Sequence, residues 1–131
     1  MKSIHEKILL VDDDPAILKT YAAILGRGFN METAEDGQSA LEIIRSRGPF
    51  AVVIADYQMP GIDGLALLCE VKNITPGTVC MLHSGAGTQE IIREALREGT
   101  ISRFIAKPCN FDELASAIRE GMAVYTGSDH D

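Results

Sequence analysis

Four patches of this 131-residue sequence carry side chains that could do chemistry together. They are the acidic triplet Asp12-Asp13-Asp14, the carboxylate Asp56, the hydroxyl of Ser84 and the ammonium of Lys107. Carboxylates brought close together repel one another, and a divalent cation that neutralises them makes the cluster tolerable. Oxygen donors of this kind, completed by a carbonyl and waters, suit Mg2+ in a near-octahedral shell. The cation would draw the oxygens of a phosphoryl group toward a carboxylate, with the lysine as a second positive charge and the serine as a hydrogen-bond donor. Positioning and charge neutralisation are most of what phosphoryl transfer requires, and carboxylates are the nucleophiles of aspartyl-phosphate chemistry. Patches so far apart in sequence can act only if a fold gathers them.

The elements that would gather them are legible. Lys7-Ile-Leu-Leu-Val11, Ala51-Val-Val-Ile-Ala55 and Val79-Cys-Met-Leu82 are short, uninterrupted apolar runs bounded by turn residues, the pattern of strands buried on both faces. Phe29, Met31 and Thr33 alternate with polar residues, which predicts a half-buried strand near a sheet edge, and Arg103-Phe-Ile-Ala106 is a brief last strand. Between them lie helical periodicities. Asp14 suits the N-cap and Pro15 the first position of a helix carrying Ile17, Leu18, Tyr21, Ile24 and Leu25, stopped by Gly26 and Gly28. After the Asp36-Gly37 turn, Ala40, Leu41 and Ile44 mark a second helix. Leu65, Leu67, Leu68 and Val71 mark a third, broken at Thr75-Pro-Gly77. Thr88 is the expected cap of a fourth with Ile91, Ile92, Ala95 and Leu96 on its inner face, ended by Gly99. Asn110 is the expected cap of a fifth, with Asp112 and Glu113 in its first turn and Leu114, Ile118 and Met122 buried. A polar tail or linker start, residues 126–131, is expected to follow a single domain over 1–125.

Strands alternating with helices imply a parallel sheet covered on both faces. Right-handed crossovers leave few assemblies, and the expected one is the flavodoxin-like (βα)5 doubly wound sandwich with strand order 2-1-3-4-5. Its switch point sets the ends of Val11 and Ala55 side by side. Asp12, Asp13 and Asp56 then converge on one crevice, flanked by Ser84 and Lys107. Asp56, the one carboxylate of the set on its own strand, is the better nucleophile candidate.

Each residue also has a plainer reading. The Asp triplet could be a solvated turn with a helix cap, a role assigned mainly to Asp14; Asp56 could merely end a strand. Lys107-Pro108 could be a surface turn, and Ser84 before Gly85 is ordinary turn chemistry. His5, His83 and His130 lack metal-ligand spacing, and His83 reads as a packing residue beside the crevice. The loop around Gly85 and Gly87 is no dinucleotide fingerprint. Twelve basic against nineteen acidic residues leave a net charge of −7, without the basic footprint of a nucleic-acid binder. No apolar run reaches a membrane span of about 20 residues, and the N-terminus carries no signal-peptide pattern. Cys69, Cys80 and Cys109, odd in number and without a CxxC, read as reduced thiols of a cytoplasmic protein.

Taken as a set, Leu10-Val-Asp-Asp-Asp14, Ile54-Ala-Asp-Tyr-Gln-Met-Pro-Gly-Ile-Asp-Gly64, Ser84-Gly-Ala86 and Ala106-Lys-Pro108 closely resemble the receiver domain of two-component response regulators. The resemblance runs from about Lys7 to Met122. It implies that Asp56 is the phosphoacceptor, loaded by a histidine kinase or histidine phosphotransfer protein. It further implies that Asp13 binds Mg2+ directly, Asp12 through water and Gln58 through its backbone carbonyl. Lys107 would hold the phosphoryl oxygens, with a cis bond to Pro108. Ser84 would be the switch hydroxyl and Phe104 the aromatic that turns inward, shifting the fourth helix, fifth strand and fifth helix. Gln58 and Ala86 occupy positions by which the family tunes phosphoryl lifetime. The departures are Ser84 where Thr is about as usual, Gly85 where Ala is commoner, and Phe104 for the frequent Tyr. The stretch Glu98 to Pro108 looks like receivers joined to phosphohydrolase-type output domains. An output domain beyond Asp131 and a homodimer through the fourth and fifth helices fit the same resemblance.

Two rival classes compete with this signalling reading. A Mg2+-dependent phosphohydrolase with an aspartyl-phosphate intermediate would use Asp12-x-Asp14, but Ala16 stands where that motif wants Thr or Val, and no cap segment shapes a substrate pocket. A receiver-like module that binds partners without phosphorylation is disfavoured by the complete set of acids, Ser84 and Lys107. The expectation is a phosphoacceptor that assists only its own phosphorylation and slow dephosphorylation, and is not otherwise an enzyme.

Overall fold

Each apolar run becomes a strand and each periodic segment a helix in the computed structural model, which describes residues 6–85 and 89–129, with side chains through 125. In chain order these are β1 (Lys7–Val11), α1 (Pro15–Leu25), β2 (Asn30–Ala34), α2 (Gly37–Arg47), β3 (Val52–Ala55), α3 (Gly64–Ile74), β4 (Val79–Ser84), α4 (Gln89–Glu98), β5 (Arg103–Ala106) and α5 (Phe111–Asp129). The five strands are parallel and ordered β2-β1-β3-β4-β5, the expected doubly wound arrangement, with β2 on an edge. Expected Ala86, Thr88, His5 and His130 lie outside the described residues.

Side chains alternate across the sheet and so divide the core in two. Leu9, Val11, Val53 and Leu82 face α2, α3 and α4, meeting Leu41, Leu67, Leu68 and Ala95. Ile8, Leu10, Ile54 and Met81 face α1 and α5, meeting Leu18, Leu25, Leu114 and Ile118. Polar caps start the helices. Asp14 Oδ1 accepts from the Ala16 N–H (2.9 Å), Asp36 Oδ1 from Ser39 (2.7 Å) and Asp63 Oδ1 from Ala66 (2.8 Å). At α5 the cap is reciprocal: Glu113 N–H donates to Asn110 Oδ1 at 2.8 Å, and Asn110 N–H donates to Glu113 Oε1 at 3.1 Å.

Two expectations need correction. Of the four apolar residues assigned to the inner face of α4, only Ala95 is buried; Ile92 is half-buried, and Ile91 and Leu96 are 37% and 42% exposed. At about 100° per residue the four fan across roughly 140° of the helix. The sheet covers the centre of that arc and leaves its two edges out. Ile24 of α1 is exposed in the same way. At the C-terminus, α5 continues to Asp129, past the point where the polar composition of 126–131 suggested a tail. The three cysteines are free: Cys69 exposed, Cys80 buried, Cys109 between.

Candidate functional site

The switch between β1 and β3 builds the site. Val11 pairs with Ala55 in register, and the ladder continues one step past the strands, with Asp12 N–H donating to Ala34 O (3.1 Å) and Asp56 N–H to Val11 O (3.0 Å). The backbone itself therefore fixes the two carboxylates side by side. On the far side Lys107 N–H donates to Ser84 O (3.1 Å), anchoring the start of the β5–α5 loop to the end of β4. The Lys107–Pro108 bond is cis, as the resemblance implied, and Gly48–Pro49 is a second cis bond that the sequence did not announce.

Lys107 Nζ lies between the acids, 2.6 Å from Asp12 Oδ2 and 3.2 Å from Asp56 Oδ2. The exposures of the three side chains are 18% for Lys107, 2% for Asp12 and 12% for Asp56, so these charges meet in a largely dry crevice. Burial acts on the ammonium first and would lower its pKa. The hydrogen bond and charge of Asp12, then the charge and hydrogen bond of Asp56, outweigh burial and leave the pKa raised. Asp12 Oδ1 accepts from the Asp14 N–H at 3.0 Å, and Asp56 Oδ1 accepts a long contact from Gln58 N–H at 3.4 Å.

One carboxylate oxygen each from Asp12, Asp13 and Asp56 lie within 4.8 Å of one another, with Asp13 exposed at the rim. Three hard oxygen donors at an open mouth fit a Mg2+ or similar cation that retains waters. The Gln58 backbone is at the same rim, while its side chain is exposed. Gly64, the first residue of α3, packs against the backbone that carries Asp56: a Cβ there would overlap the Asp56 carbonyl oxygen. Its N–H donates to Tyr57 O at 2.9 Å. This support role was signalled by no more than a glycine eight residues after Asp56.

Ser84 is buried. It shares a cavity of about 420 Å³ with Lys107 and half-buried Phe104, walled by Ile92 and Leu96 of α4. The structure thus brings Asp12, Asp13, Asp56, the Gln58 backbone, Ser84 and Lys107 to one end of the sheet, and sets Phe104 against the adjoining α4 cavity.

Sequence reasoning missed the surroundings of His83. This residue is buried, stacked on Tyr21 (ring centroids 5.7 Å apart), with Cys109 Sγ 3.4 Å from its Nε2. Burial, then the Lys107 ammonium, lower its pKa from 6.5 to about 4, against the opposing charges of Asp12 and Asp56. The unfolded chain therefore binds the proton more readily than the folded one. The stability carried by neutral His83 is complete above about pH 6.5 and drains as pH falls toward 4, by roughly 3 kcal/mol in all. An NMR titration of the imidazole is expected to show a midpoint near 4; a midpoint near the unperturbed 6.5 would contradict this environment.

Comparison with known proteins agrees with this geometry. The family model described as "Response regulator receiver domain" matches residues 8–119. The uncharacterized transcriptional regulatory protein YesN of Bacillus subtilis (strain 168) is 36% identical over 122 residues, covering 89% of this chain and 32% of YesN. The chain thus spans about a third of the length of that curated relative. Among solved structures, an adenylate cyclase from Rhodopirellula baltica superposes with a TM-score of 0.91 at 34% identity, covering 96% of each chain. The response regulator TrrA from Thermotoga maritima, solved in complex with Mg2+ and BeF, superposes with a TM-score of 0.76 at 31% identity, covering 88% of this chain and 98% of that one.

Proposed function

The chain belongs to the response regulator receiver domain family, and from that membership we propose that Asp56 is its phosphoacceptor. The observation that carries the proposal is the position of Lys107 Nζ, held between Asp12 and Asp56 at the mouth of the sheet. An Asp56 carboxylate oxygen attacks the phosphorus of a phosphohistidine donor; the P–N bond breaks, an acyl phosphate forms, and the donor histidine leaves as imidazole. Lys107 is placed to transfer its contact from the Asp56 carboxylate to the phosphoryl oxygens. Buried Ser84 is placed to donate a hydrogen bond to one of them. Asp12, Asp13, Asp56 and the Gln58 carbonyl would hold Mg2+, which when bound neutralises charge on the transferring group.

The output of this chemistry is conformational. A phosphoryl group that recruits Ser84 empties space beside the α4 cavity, and half-buried Phe104 can turn into it, shifting the α4-β5-α5 face. Such a local charge event biasing a two-state element is how receivers signal. The donor is a histidine kinase or phosphotransfer protein, and the listener an output domain, since the curated relative is far longer than this chain, or a second copy. Residues 1–125 are assigned to the receiver unit. Among the described residues no helix is long and apolar enough to cross a membrane, and the acidic charge opposes direct nucleic-acid binding; both accord with a cytoplasmic signalling role. The phosphohydrolase alternative loses a residue, because Asp14 spends its carboxylate capping α1.

Beryllofluoride with Mg2+ tests this reading. Amide spectra of the wild-type chain are expected to shift at Asp56, Ser84, Lys107 and along α4, and those of Asp56→Asn to stay unchanged. Equal shifts in both chains, or none in either, would sink it.

A further inference from the structure

The helix α4 has two sides, and the front cavity just described uses only one. On the other side, facing α3, lies a groove of about 400 Å³. Its floor is apolar, formed by Leu65 of α3 and by Ile91 and Ala95 of α4. Its rim is acidic: Glu90, Glu94 and Glu98 recur every fourth residue along α4. We propose that this groove is a docking site for a basic amphipathic helix of a partner protein.

Three observations select that occupant. At 1.5 Å rise per residue the rim carboxylates stand about 6 Å apart, one per turn. A helix carrying Lys or Arg at the same four-residue spacing would meet them in step, while its apolar stripe covers Ile91, the mode by which amphipathic helices enter grooves. The rim also keeps its charge. Arg97 bridges Glu94, but among the described residues no cation is paired with Glu90 or Glu98. Finally, a second copy of this chain is a poor occupant, because a net charge of −7 repels a like-charged rim. An anionic lipid surface fails for the same reason. The groove shares no lining residue with the Asp56 crevice.

Cys69 gives the test a built-in reporter, since it lines this groove and is exposed, while Cys80 is buried and Cys109 lies elsewhere. The probe is a synthetic helix of about 18 residues, five turns, with leucines on one face and lysines flanking them at four-residue spacing. The control is the same composition in scrambled order. The amphipathic peptide is expected to slow alkylation of Cys69 in the full chain about tenfold and to leave Cys109 unchanged. Glu90→Lys combined with Glu98→Lys, at exposed positions where the fold should survive and can be checked by its melting curve, is expected to weaken binding about tenfold. The proposal is overturned by no protection of Cys69 at about 1 mM peptide, by equal protection from the scrambled peptide, or by undiminished binding to the folded double variant. Protection of Cys69 that grows with the chain's own concentration would assign the groove to a second copy and overturn it too.

Discussion

Lys107→Met is expected to cost the folded chain about 3 kcal/mol in the absence of divalent cations, the low end for removing one partner of a buried ion pair. Methionine keeps most of the aliphatic stem and deletes the charge. What remains is Asp12, a carboxylate 2% exposed whose closest cation was 2.6 Å away, beside Asp56, each left with one backbone N–H contact and, among the described residues, no cation. Water cannot reach Asp12 well enough to replace the ammonium. Mg2+ can, because the three carboxylate oxygens that would bind it are already within 4.8 Å of one another. Urea denaturation with and without Mg2+ therefore reads two effects at once. The variant should be destabilised without the cation and recover with it, and it should bind Mg2+ more tightly than the wild type because a competing charge is gone. Wild-type stability in cation-free buffer would show that the crevice is wetter than described.

Gly64→Ala is expected to be nearly as severe for a steric reason. The new methyl group would overlap the Asp56 carbonyl oxygen, with the Asp56 carbonyl carbon 2.8 Å and Tyr57 Cα 3.0 Å from it. These are backbone atoms, so relief requires moving the segment that holds Asp56. The loss should be about 3 kcal/mol, the upper end for overpacking, together with weaker Mg2+ binding because the carboxylate is unseated. Gly77→Ala is the matching control. A Cβ there meets nothing within 4 Å and Gly77 has no positive φ, so the change should be neutral or stabilise by up to about 1 kcal/mol through the unfolded chain. Similar losses at both positions would refute the close-approach account of Gly64.

How much of this was legible in the sequence depends on what each feature rests on. Strands such as Val52–Ala55 are announced by uninterrupted apolar runs, and right-handed crossovers leave few orders for them, of which 2-1-3-4-5 is the expected one. The crevice follows in turn, since Asp12 and Asp56 are each the residue after a paired strand end. Other features depend on distances that no periodicity encodes. Four apolar residues on α4 look like one buried face, yet the sheet is narrower than their arc, and Ile91 and Leu96 are left in grooves on opposite sides of the helix. The stacking of Tyr21 on His83 joins α1 to β4, and Cys109 reaches the same imidazole from the β5–α5 loop; only the assembled fold brings the three together. Gly64 is similar, because a glycine required by one carbonyl oxygen looks in sequence like any loop glycine.

Of the carboxylates in the crevice, Asp56 is the proposed phosphoryl acceptor. Borohydride reduction of the chain after incubation with acetyl phosphate and Mg2+ tests it most directly, since hydride cleaves an aspartyl phosphate to homoserine and marks the acceptor covalently. Peptide mass spectrometry is expected to find homoserine at position 56 alone. Homoserine at position 12 or 13, or none at all from a folded chain, would contradict Asp56 as the acceptor.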